Sequence, residues 1–191
     1  MSTRERILDA AAEILRTRGV AQATTKEIAQ ASGVSEPTLY KHFPDKERLL
    51  LAVLQERLPG LSRVAVRPGE GEVEDNLAAL AHAALEFYQR SIPMLGALLA
   101  DPRRMESHRV AMDRHGGGPG RAVAAFAAYL RAERDLGRLR AEADPDAAAA
   151  LLVGGCFQEA FLRYYGHGPE AAAAPRGFAE ALARAVVRPL L

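Results

Sequence analysis

This chain has few of the residues that staple or crowd a small protein. Its 191 residues include one cysteine, Cys156, and no tryptophan, and aromatic residues make up 6% of it. A lone cysteine forms no internal disulfide and fits a reducing cytoplasm. No run approaches the ~18 consecutive apolar residues of a membrane span. The N-terminus is charged from Arg4 onward, where a signal segment would be apolar. Net charge is scarce too: the formal sum is +1, and the first fifty residues hold eight Lys or Arg against seven Asp or Glu. A polyanionic partner must therefore be met by placed charges, not by their sum. A cytoplasmic protein without a membrane segment is expected.

Catalytic signatures are equally thin. The Gly116–Gly118 run is followed by Pro-Gly, not by the helix-opening Lys-Ser or Lys-Thr of a phosphate loop. Cys156 stands between glycines and Phe157, where it reads as a small buried hydrophobe. His108, Asp113 and His115 lack the i,i+3 or i,i+4 spacing of a ligating pair next to the glycine run. The expectation is no enzyme, no cofactor and no metal.

What is present is helical periodicity. An apolar fraction of 49% and a charged fraction of 26% are those of an ordinary globular protein. Residues 3–18 place Ile7, Ala11, Ile14 and Leu15 on one face, with Gly19 as the expected stop. Further helices are expected from Asp45, over 73–91, from Pro93, from Asp101-Pro102, over 121–136, from Asp144-Pro145 to about Tyr165, and over 175–188. Pro59-Gly60 and Pro68–Gly71 punctuate the chain and suggest a seam. No segment alternates as a strand does, so the chain reads as all-α with about nine helices.

The densest signal lies between Thr24 and Phe43. Thr24 and Glu27 have capping-box spacing, Gly33 suits a positive-φ turn, Ser35 is a natural N-cap, and Pro37 falls in a first turn. Leu39 and Phe43, four apart, supply a buried stripe. Two short helices with a tight turn and a polar outer face result, the outline of a helix-turn-helix. On that face Thr24, Thr25 and Lys26 suit phosphate, and Tyr40, Lys41 and His42 can donate to phosphate oxygens. Ser35, Glu36, Pro37 and Thr38 open the second helix, nearest to base edges. There Glu36 can accept from a cytosine amino group and Pro37 or Thr38 can touch a thymine methyl. At the other end, the alanine-rich helix from Asp144 carries Gly154 and Gly155, each costing ~1 kcal/mol relative to alanine. A bare backbone for close packing is expected there, and the last two helices are read as a homodimer interface.

Across residues 3–54 the chain resembles the TetR family of transcriptional regulators. The resemblance rests on Thr25-x-x-Ile-Ala, Gly33-Val-Ser, Leu39-Tyr-x-His-Phe43 and Lys46-Glu-x-Leu-Leu50, and more weakly on Gly137-x-Leu-Arg with Asp144-Pro145. It implies a homodimer on a double-stranded DNA operator, with Lys46 on phosphate. It also implies a repressor released by a small-molecule effector; an activator, or control by a protein partner, is the alternative. Residues 1–58 would then bind DNA and 59–191 would bind ligand and dimerise. Candidate ligand residues are His82, Tyr88, Met105, His108, Met112, Phe126, Tyr129, Phe157 and Phe161, an apolar set suited to an apolar compound.

Overall fold

A computed structural model describes residues 1–57, 64–114, 118–168, 171–173 and 175–191. Pro59-Gly60, His115 and the Gly116-Gly117 part of the glycine run lie outside them. Among the described residues there are nine α-helices and no strand. They are α1 Thr3–Gln22, α2 Thr25–Ala31, α3 Glu36–His42, α4 Lys46–Glu56, α5 Val73–Leu99, α6 Pro102–Arg114, α7 Gly120–Asp135, α8 Pro145–His167 and α9 Arg176–Val187, the last followed by a 3-10 turn, Arg188–Leu190. No helix among them is long and apolar enough to cross a membrane.

Local chemistry sets most helix starts. Ser2 and Glu5 close a capping box on α1, and Asp45 Oδ1 accepts from the Arg48 N–H at 2.6 Å to start α4. Asp101 Oδ1 accepts from Arg103 N–H at 3.0 Å, and Asp144 Oδ1 from the Asp146 and Ala147 N–H groups.

Two helices depart from their expected ends. α1 runs a turn beyond Gly19 to Gln22; a glycine weakens a helix by only ~1 kcal/mol and need not end it. Residues 73–99 form one helix, not two. Pro93 costs α5 a ladder hydrogen bond, but Ile92 before it and Leu98 five residues after it are buried, and that burial favours continuing the helix.

Packing divides the chain into two units. The first comprises Met1–Leu58 and Arg90–Gly116. Ile7, Leu8 and Ala11 of α1, Ile28 and Ala29 of α2, Leu39 and Phe43 around α3, and Leu49, Ala52 and Val53 of α4 form its core, with Val34 packed against it. Leu50 and Leu98 form a second small cluster with Leu15 and Met105. The other unit comprises Pro59–Gln89 and Gly117–Leu191, in which α7 packs on α8 and α8 on α9. A β-carbon built at Gly155 would stand 2.8 Å from Leu182 Cδ2, so the bare backbone there lets α9 approach α8.

Candidate nucleic-acid interface

The polar outer face of the first unit is built by α2 and α3, and each turn of chain that positions it has a local cause. Thr24 Oγ1 accepts from Glu27 N–H at 3.2 Å, and Glu27 Oε2 accepts from Thr24 N–H at 3.2 Å. The Thr24 hydroxyl, which donates to Glu27 Oε2 at 3.0 Å, and the Thr24 N–H together hold the Glu27 carboxyl below its ordinary range. Gly33 adopts φ +67°, a region open to glycine. Its N–H returns to Gln30 C=O, and Val34 N–H to Ala29 C=O. Buried Ser32 spends its hydroxyl on the Ile28 and Ala29 carbonyls, so the turn holds no unpaired hydroxyl. Ser35 then caps α3 by accepting from Thr38 N–H, and Pro37 stands in its first turn.

Leu39 and Phe43 turn inward and are buried. Lys26, Pro37, Tyr40, Lys41 and His42 are exposed, as are Thr24 and Ser35, while Thr25, Glu36, Thr38 and Lys46 are half-buried. All of the candidate DNA residues thus sit on α2, α3, their caps or the first residue of α4. Three of them are joined. Thr25 Oγ1 donates to Glu36 Oε1 at 2.7 Å and lies 3.1 Å from the Tyr40 hydroxyl. Glu36 is therefore engaged within the protein and not simply presented to solvent.

α1 and α4 brace this face. Arg4 makes two hydrogen bonds to the Glu56 carboxylate, at 2.7 and 2.6 Å, and its guanidinium lies 5.3 Å from the centre of the Phe43 ring. Arg57 Nε donates to Asp9 Oδ1 at 2.6 Å. The Arg4 bond holds the Glu56 carboxyl below its usual range.

The candidate ligand residues fall in both packing units. Met105, His108 and Met112 belong to the first, where Met105 packs on the Leu50–Leu98 cluster and burial lowers the His108 pKa. The other six belong to the second. Phe126 and Tyr129 are buried. Tyr88 meets Phe157 edge-on, with ring centres 5.4 Å apart. His82 Nε2 lies 3.7 Å from Glu86 Oε1, and its Nδ1 is buried with no hydrogen-bond partner among the described residues. Phe161 is exposed on α8. Cys156 Sγ donates to Ala81 C=O at 3.4 Å, and burial pushes its thiol from 9.0 up to about 12; it is inert as a nucleophile. No group of three metal-ligating side chains occurs among the described residues.

Sequence reasoning missed a buried polar cluster in the second unit. Glu133 has no exposed surface, and its Oε2 accepts from Arg138 at 3.1 Å and from Gly69 N–H at 3.3 Å. Arg138 also donates to Gly71 C=O, and Asn76 Nδ2 donates to the Tyr129 hydroxyl at 3.0 Å. The Pro68–Gly71 stretch is thus tied down on α7, not a free linker. One signal was available: Glu133 lies four residues after Tyr129 and three after Leu130, on the stripe that α7 buries.

Comparison with known proteins agrees with this architecture. The family described as "Bacterial regulatory proteins, tetR family" matches residues 7–53, and "AefR-like transcriptional repressor, C-terminal domain" matches residues 75–188. The regulator YvkB of Bacillus subtilis is 34% identical over 84 residues, 44% of each chain. The transcriptional activator FasR of Mycolicibacterium smegmatis is 40% identical over 85 residues, 44% of this chain and 38% of that one. These matches span about half the length of the curated relatives or less. Salmonella enterica GusR shares the fold, with a TM-score of 0.70 at 23% identity over 98% of this chain and 95% of that one. The chain belongs to the TetR family of DNA-binding helix-turn-helix transcriptional regulators.

Proposed function

We propose that this chain is a homodimeric repressor of a palindromic operator, released when a small apolar molecule binds. Residues 1–58 read the DNA, with α3 as the recognition helix, and residues 59–191 bind the effector and dimerise. The observation that carries this reading is the outer face of α8. Leu151, Phe161, Leu162 and Tyr165 are exposed there at helical spacing, Leu162 at 52% and Tyr165 at 82%. Gly154, on the same face, has no atom within 4 Å of where a β-carbon would be. An apolar ridge with a small-residue notch fits a second copy of itself across a two-fold axis. A two-fold reader places its recognition helices about 34–36 Å apart, one duplex turn.

Ligand release requires an effector that binds one spacing of the recognition helices more tightly than the other. α4 is the element assigned to carry such a change, and Arg4–Glu56 and Arg57–Asp9 tie its C-terminal end to α1. The test is the Leu162→Glu variant. Its site is exposed, so the fold should survive, while the protein sediments as a monomer and loses most of its affinity for operator DNA. A variant that stays dimeric and binds DNA normally would overturn the interface. Activation in place of repression is the second reading, favoured by the similarity to the activator FasR.

A further inference from the structure

Among the hydroxyl groups expected to meet phosphate, Thr25 and Tyr40 are joined to each other, and both protons are committed within the protein. Thr25 Oγ1 gives its one proton to Glu36 Oε1 at 2.7 Å. Only lone pairs then remain on Thr25 Oγ1, so at 3.1 Å it accepts the proton of the Tyr40 hydroxyl. The result is a directed chain, Tyr40 to Thr25 to Glu36, that ends on a carboxylate and links the first residue of α2 to the first residue and the last turn of α3. A phosphate oxygen offers lone pairs only. Thr25 cannot donate to it while its proton is on Glu36, whereas Tyr40 has only to leave Thr25.

We propose that Glu36 determines specificity by gating the Thr25 phosphate contact, with Tyr40 bonded to Thr25 behind it, an inference that rests on the DNA-interface reading. On an unrelated duplex the carboxylate keeps the Thr25 proton turned inward. Where the major groove presents a cytosine amino group, a donor that suits a carboxylate, Glu36 exchanges the Thr25 hydroxyl for the base. The freed Thr25 hydroxyl then donates to a phosphate and can still accept from Tyr40. Base recognition and backbone contact are thereby coupled, and a wrong base pair loses both.

The test measures duplex binding by fluorescence anisotropy, with full-length protein and three duplexes: a consensus selected from random DNA, that consensus with its cytosine replaced, and an unrelated sequence. Glu36→Ala should bind the unrelated duplex about tenfold more tightly, since it frees the Thr25 hydroxyl in each of two subunits. It should also lose most discrimination at the cytosine. Glu36→Gln keeps an acceptor for Thr25 and should gain much less. In a Thr25→Val, Tyr40→Phe background, Glu36→Ala should bring no gain on the unrelated duplex. A gain that persists in that background, or Glu36→Gln equal to Glu36→Ala, would assign the effect to charge alone and overturn the gate. Unchanged affinity of Glu36→Ala for the unrelated duplex would overturn it as well. Wild-type protein that binds no duplex at low salt would instead remove the interface assignment beneath it.

Discussion

Glu133 and Arg138 form an ion pair 3.1 Å long in which the carboxylate is fully buried and the guanidinium is about a quarter exposed. The two partners are therefore not equivalent. Removing Arg138 strands a buried charge, whereas removing the charge of Glu133 leaves a cation that water can reach. Arg138→Ala should destabilise the fold by about 3 kcal/mol. Glu133→Gln, which can still accept from Gly69, should cost about 1 kcal/mol. Thermal or urea unfolding followed by circular dichroism measures both. Equal losses, or a larger one for Glu133→Gln, would show that the pair does not act as described.

Adjacent glycines on α8 predict opposite responses. A side chain at Gly155 must displace Leu182, so Gly155→Leu should cost about 2 kcal/mol or more through overpacking. Gly154 has open space around it, and Gly154→Ala should stabilise the helix by up to about 1 kcal/mol. If α8 pairs with a second copy, Gly154→Leu keeps the fold but weakens association, which sedimentation at several concentrations detects. Unaltered association of Gly154→Leu would place the subunit contact elsewhere.

The buried thiol sets a pH limit. Cys156 ionises at about 12 in the folded protein against 9.0 when exposed, so above pH 9 the unfolded chain holds fewer protons than the folded one. Its contribution to stability is whole below pH 9 and is lost as pH rises towards about 12. Native protein at pH 8 should accordingly react with a thiol reagent only as fast as it opens, while denatured protein reacts at once. Rapid labelling of the native protein at that pH would contradict the placement of Cys156 against Ala81.

Lys46 opens α4, and a phosphate contact there carries no sequence information. Lys46→Ala should weaken cognate and unrelated duplexes by similar factors. A dimer that loses one such contact per subunit should also have its log–log salt slope reduced by about two. Affinity and slope both left unchanged would remove Lys46 from the interface.

The parts of the fold legible in the sequence were those with causes a few residues apart. Ser35, Asp45 and Asp144 each satisfy amides two or three positions on, and Gly33 takes the positive φ its turn demands. Pro93 misled because the local rule against proline within a helix was outweighed by burial of Ile92 and Leu98, which local pattern does not reveal. Glu133 was hidden for a related reason: a charged residue is ordinarily read as solvated, and its partners Gly69 and Arg138 come from distant and nearby loops. The sequence marked α8 as alanine-rich with two mid-helix glycines, but not which of its faces is covered within the chain. The structure buries Leu152, Val153 and Cys156 and exposes Leu151, Phe161 and Leu162. Around α2 and α3, the caps, the turn and the exposed positions from Thr24 to Lys46 were readable. The bonds joining Thr25, Glu36 and Tyr40 were not, since they depend on how α2 and α3 cross.

Selection of duplexes from a random pool with the purified full-length protein tests the central claim most directly. A two-fold reader predicts a palindromic or near-palindromic consensus with half-site centres about 10 base pairs apart or a multiple of a helical turn, lost when Lys41 and Tyr40 are replaced together. Absence of any enrichment at low salt, or a single asymmetric site bound by one subunit, would contradict it.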